Sequence, residues 1–187
     1  MDDRTLLRYT REVVWQAELG ILGLANAIAE VATLPADPNT DETTIRQIQR
    51  CWQALHSCVS AGASLSKLFW PLRRDASARG EILRSSLSVC DDSPLRSRAI
   101  RDGLEHFDER LDRYLSARPP QLRMDMVILS KVHLRSDPFP VLRWFDPAAL
   151  TLTVLEARIE LAPLVEEMAR VKTAAYALRD RLESRQT

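Results

Sequence analysis

A chain of 187 residues with 45% hydrophobic content is the size of one ordinary domain with a real apolar core, which excludes disorder as a general description. Its 26 basic residues balance 26 acidic ones, so no long-range field of one sign advertises a nucleic-acid or membrane partner, and any RNA contact must be local. The 3 cysteines (Cys51, Cys58, Cys90) and the lack of a leading signal pattern argue for a cytoplasmic setting without disulfides, and no apolar run approaches the roughly 20 residues that cross a bilayer.

In chain order, Leu7, Val14, Ala17, Ile21, Leu24, Ile28 and Val31 alternate in steps of three and four, predicting a long bundle helix stopped by Pro35 and Pro38. A second helix is predicted from Asp41 through Ile45, Ile48, Trp52, Leu55 and Val59 to Phe69 and Trp70, where Pro71 ends or kinks it. A short polar loop between two long helices predicts antiparallel packing. Residues 71 to 92 hold a short helix around Glu81 to Leu87. Ser93 followed by Pro94 has the form of an N-cap and first-turn proline, opening a third long helix with Ile100, Leu104, Phe107, Leu111 and Tyr114 or Leu115 on its core stripe. Pro119–Pro120 closes it. Leu122, Met124, Met126 and Ile128 then alternate with other residues, and VLRWF and LTLTV flank Asp146–Pro147. Residues 122 to 160 are therefore predicted to form a small antiparallel β element, a hairpin with one more strand, inserted before the last helix. That helix carries Leu161, Leu164, Met168, Val171, Ala175, Leu178 and Leu182, with Pro163 tolerable in its first turn, and serves as a fourth bundle helix or as part of a dimer seam. The fold class expected is mainly α: one domain over residues 1 to 187, an antiparallel bundle of four long helices with the β element near its end.

The chemistry concentrates in RDGLEH, Arg101 to His106, on the predicted third helix. Asp102 and His106 are four apart and share one helix face, where a carboxylate favours the imidazolium and orients the ring. Arg101 precedes His106 by five residues, about 500° of helical rotation, so their directions differ by about 140°. Only the length of the Arg side chain, or a second copy of the helix, brings guanidinium and imidazole to one phosphate. The arrangement thus predicts a site in a cleft between two such helices across a two-fold axis. RNA supplies its own nucleophile in the 2′-OH; an Arg can neutralise charge on the phosphorane and a His can move one proton. The products would be a 2′,3′-cyclic phosphate and a 5′-OH, with no metal and no cofactor.

Arg101-Asp102-x-x-x-His106 on a helix of an all-α bundle resembles the HEPN superfamily of bacterial toxin and defence ribonucleases. The resemblance implies that Arg101 and His106 are the catalytic pair, that Asp102 fills the variable polar position, and that two motifs face each other in a homodimer cutting RNA without metal. SLSKLFWP (64 to 71), then RGEILRSSL and SPLRSRAIRDGLEHFDERLD, is also similar to a group of bacterial proteins with HEPN-type helices, over roughly residues 60 to 115. Two features depart from the family pattern. Many toxin members carry a Tyr two residues after the His, where this chain has Asp108, and the β element lies outside the minimal bundle.

Arg98, Arg110 and Lys67 are the candidate substrate-binding residues, with Arg73 and Arg74 near Lys67; against this stands an ordinary solvated charged face and a snorkelling Lys67. His56 beside Trp52, Leu55 and Val59 is expected to be a partly buried helix histidine, and His133 a surface or turn residue. Trp144 and Phe145 could stack on a base but more often close the apolar face of a small sheet. Cys51 and Cys58 are seven apart, roughly 10.5 Å along a helix, too far to share a metal. With 5 glycines and no phosphate loop, His-Glu-x-x-His or nucleophile elbow, kinase, NTPase, dehydrogenase and zinc hydrolase functions are set aside. The expectation is a cytoplasmic, metal-independent, HEPN-like dimeric endoribonuclease, a toxin or defence component with an antitoxin partner. The alternative is a non-catalytic dimeric helical module that binds a protein partner or a nucleotide, its charges serving solubility and interface pairing.

Overall fold

The computed structural model describes residues 1–35, 41–97, 99–100, 107–116, 125–129 and 141–185. Three long helices form its frame: α1 (Asp3–Ala32), α2 (Glu42–Phe69) and, at the end of the chain, α5 (Leu161–Glu183). The first two begin alike, on an aspartate whose carboxylate accepts the backbone N–H three residues on. Asp2 takes Thr5 at 2.8 Å and Asp41 takes Thr44 at 2.7 Å. These bonds favour the ionised carboxyl and hold both aspartates below the usual carboxylate range.

α2 runs antiparallel to α1, since Gln47 bonds Glu30 and Thr33 near one end while Gly20 meets Ala61 further along. α5 is antiparallel to α1 as well: Arg11 pairs with Glu183 at 2.8 Å and the Tyr176 hydroxyl donates to Glu18 at 2.6 Å. Glycines set the spacing. A Cβ on Gly23 would lie 2.7 Å from the Ala54 carbonyl oxygen and 2.8 Å from the Cys58 nitrogen, so α1 and α2 touch backbone to backbone there. Every position of the seven-residue stripe from Leu161 to Leu182 is buried. The α1 stripe is rotated from its expected position: Gly20, Gly23 and Ala27 are buried while Ile28 is 42% exposed, because close helix contact selects small residues over large ones. Ile45 on α2 is likewise exposed.

The expected third long helix does not open at Ser93. α3 (Ser77–Ser86) is the short helix predicted before it. Ser93 does not cap a long helix; its hydroxyl donates to Glu167 at 2.8 Å, and Pro94–Arg96 form a single 3-10 turn that ends at extended Ser97. Beyond the turn Ala99 and Ile100 are helical, and α4 spans Phe107–Ser116. Among the described residues the chain therefore has three long helices and two short ones, rather than four long ones.

The β element comes before α5, as expected, but is a mixed sheet of four strands. β1 (Val127–Ile128) lies parallel to β2 (Arg143–Asp146), and β3 (Thr151–Val154) and β4 (Ala157–Glu160) follow in antiparallel order. Asp146 turns the chain between β2 and β3 by accepting the Ala148 and Ala149 N–H groups at 3.0 and 3.1 Å. Phe145, Leu152, Val154 and Ile159 bury one side of the sheet in the same core as the helices. No helix among the described residues is long and apolar enough to cross a membrane.

Candidate functional site

A cleft opens between α2, the start of α4 and the sheet, and encloses about 680 Å³. Its size falls within the roughly 300–1,000 Å³ typical of small-ligand sites. The floor is apolar, made by Leu55 of α2, Met126, and Leu152 and Val154 of β3. One wall is the face of α2 that presents Gln49, Gln53 and His56, spaced four and three residues apart and so stacked on successive turns. All three are exposed, and among the described residues their side chains make no hydrogen bond. His56 is thus a cleft residue and not the partly buried histidine expected.

The opposite lip is fixed by a short chain of bonds. Trp52, 8% exposed, donates its indole N–H to the Met126 carbonyl at 2.9 Å. Met126 sits at φ +56, a left-handed conformation that strains a residue with a Cβ. Its own N–H donates to Asp125 Oδ1 at 2.8 Å. Asp125 also accepts Nε of Arg143 at 2.8 Å and Nη2 of the same guanidinium, a two-pronged pair. The Arg143 hydrogen bonds hold the Asp125 carboxyl below the usual carboxylate range, and Asp125 in turn raises Arg143. The guanidinium lies 5.4 Å over the Phe107 ring. Arg143 is the one charged side chain in the cleft lining among the described residues, and Asp125 neutralises it.

Of the residues singled out in the sequence, Arg98, Arg101, Asp102 and His106 lie outside the described residues, as does His133. Phe107, which follows His106 in sequence, lines the cleft. Arg110 is half-buried on α4 and donates to the Val154 carbonyl at 3.5 Å, tying α4 to the strand that floors the cleft. Lys67 is elsewhere. It stands 11 residues beyond His56 on α2, roughly 16 Å along the axis. There it lines a shallower depression of about 470 Å³ with Tyr9, Arg73 and Arg79. Arg73 is bound to Asp75 at 2.5 Å, and Arg79 lies over the Tyr9 ring at 5.2 Å. Trp144 donates its indole N–H to the Leu129 carbonyl at 2.7 Å and Phe145 is fully buried, the sheet-closing arrangement. Cys51 and Cys58 point into the helix core, where burial pushes both thiols up to about 12.

Sequence reasoning missed the lip of the cleft. Asp125 and Arg143 are separated by the residues between β1 and β2, and only the parallel pairing brings them together. The Gln49-Gln53-His56 spacing was legible, yet nothing in it distinguished a cleft wall from a solvated face. Compared with protein-family models, with curated proteins and with solved structures, the chain matches none of them.

Proposed function

We propose that the chain is a metal-independent, HEPN-like endoribonuclease, a cytoplasmic toxin or defence component that works as a homodimer. The observation that carries this reading is the RDGLEH motif itself, in a mainly helical domain, followed directly by the cleft residue Phe107. The 2′-OH of the nucleotide before the cut attacks the adjacent phosphorus and the bond to the 5′-oxygen breaks, leaving a 2′,3′-cyclic phosphate and a 5′-OH. His106 moves the proton between these oxygens as general acid/base, Asp102 orients its ring, and Arg101 from the facing helix compensates charge on the phosphorane. Arg98, Arg110 and Lys67 contribute to holding the RNA backbone, Arg110 from α4 and Lys67 further along α2. An antitoxin protein is the natural second partner of such an enzyme.

The test is cleavage of a long structured RNA by the purified chain beside its His106→Ala and Arg101→Ala forms. Each substitution is expected to lower the rate by about 10²–10⁴-fold, the usual contribution of a positioned proton donor or charge clamp. Unchanged cleavage by His106→Ala ends this reading. The second reading is a non-catalytic helical module that binds a protein partner or a nucleotide. Trp15 and Leu22 favour it: they are seven residues apart on α1, share one face, and are each 58% exposed.

A further inference from the structure

In its described lining residues the cleft between α2, α4 and the sheet is chemically unlike a phosphate site. A phosphate-binding pocket concentrates uncompensated positive charge or backbone N–H groups. Here Arg143, the one cation lining the cleft among the described residues, is spent on Asp125 through Nε and Nη2. Nη1 remains without a partner among the described residues, a hydrogen-bond donor in a formally neutral pair. The α2 wall adds two carboxamides and an imidazole, groups that donate and accept at once, and none of them bonds another of the described residues. A neutral, planar ligand with donors and acceptors along its edge matches this set, and its faces match the apolar floor and the half-exposed Phe107 ring.

We infer that the cleft between α2, α4 and the sheet binds an uncharged nucleobase, edge-on to Gln49, Gln53 and His56 and against the ring of Phe107. The lip is pre-formed for the task. Left-handed Met126 is held on one side by Trp52 and on the other by Asp125, so little ordering remains when a base enters. The site serves the RNA-cutting reading as a base subsite beside the cut, a role that rests on that reading; binding of a base does not.

The experiment titrates the full chain with adenosine, guanosine, cytidine and uridine, and separately with inorganic phosphate, by heat of binding or NMR shift. At least one nucleoside should bind saturably and inorganic phosphate should not. The Gln53→Leu/His56→Leu form should bind that nucleoside at least about tenfold more weakly, the loss of two hydrogen bonds. Both positions are exposed, so its circular dichroism should match the parent. The inference is overturned if no nucleoside saturates, if the double variant binds equally well, or if inorganic phosphate displaces the nucleoside. Measured beside RNA cleavage, the two claims separate. Nucleoside binding without cleavage removes the ribonuclease and leaves the base site; cleavage without nucleoside binding removes the base site and leaves the ribonuclease.

Discussion

Gly23→Ala places a methyl group where α1 meets the backbone of α2. Its Cβ would stand 2.7 Å from the Ala54 oxygen, 2.8 Å from the Cys58 nitrogen and 3.1 Å from the Cys58 Cα, against an ordinary contact near 3.4 Å. The helices must part locally by about 0.6–0.7 Å, and a gap of that size forfeits roughly a quarter to a half of each van der Waals well along the contact. Overpacking of this kind costs about 1–3 kcal/mol, partly offset by the ~1 kcal/mol that alanine gains over glycine inside a helix. The clashing atoms are all backbone and cannot swing aside, which puts the cost in the upper half of that range, so the net expectation is a loss of about 1–2 kcal/mol, or roughly 2–8 °C in Tm for a chain of this length. Gly62→Ala is the control. Its nearest neighbours are side-chain atoms with no backbone among them, the ends of Met168 and Leu164 at 3.0 and 3.4 Å and the branch methyl of Ile100 at 3.2 Å. They can shift by tenths of an ångström, so the propensity gain leaves Gly62→Ala within about 0.5 kcal/mol of the parent. Thermal and urea unfolding of the two variants reads the difference. The reasoning fails if Gly23→Ala is as stable as the parent or if Gly62→Ala is the more damaged.

Three further outcomes are expected. In the folded chain at pH 8 a thiol reagent should label Cys90, which is exposed, while Cys51 and Cys58 stay unreacted until denaturant is added. Because the folded Asp125 carboxyl is depressed by Arg143, the pair contributes stability that is fully present above the unfolded value near pH ~4 and lost as pH falls through the folded value. Tm of the parent relative to Asp125→Asn should accordingly decline between about pH 5 and pH 3, and a flat difference counts against the pair. For the proposed dimeric ribonuclease, mixing Arg101→Ala with His106→Ala protomers should recover about a quarter of parental cleavage, since half the dimers would be mixed and each would hold one intact composite site. No recovery after subunit exchange would place Arg101 and His106 of one site on the same protomer.

The long helices were legible because each carries an apolar rhythm of three and four over many turns, and α5 is buried at every position of its stripe. Hydropathy misjudged the α1 face for a steric reason. It weights Ile28 above Gly20 and Gly23, whereas the contact with α2 admits only a residue without a side chain. Ser93–Pro94 carried a helix-start signal that the chain satisfies with one 3-10 turn, the serine hydroxyl turning to Glu167 on α5. Alternation at 122 to 128 announced a strand but not its direction, which depends on where the chain returns in space. β4 was hidden because its ARIE sequence runs straight into the apolar rhythm of α5. The cleft was the least legible part. Its wall is written at helical spacing in Gln49, Gln53 and His56, but its lip depends on Asp125 and Arg143 meeting across two strands.

The central claim is metal-free cleavage by the RNA's own 2′-OH. Its most direct measurement uses a short RNA containing a mapped cut site, and the same RNA with a single 2′-deoxy nucleotide before the cut, each incubated with the purified chain in excess EDTA. The account predicts cleavage of the all-ribose strand alone, with a 2′,3′-cyclic phosphate and a 5′-OH at the new ends. Equal cleavage of the deoxy-substituted strand, or cleavage that EDTA abolishes, would contradict it.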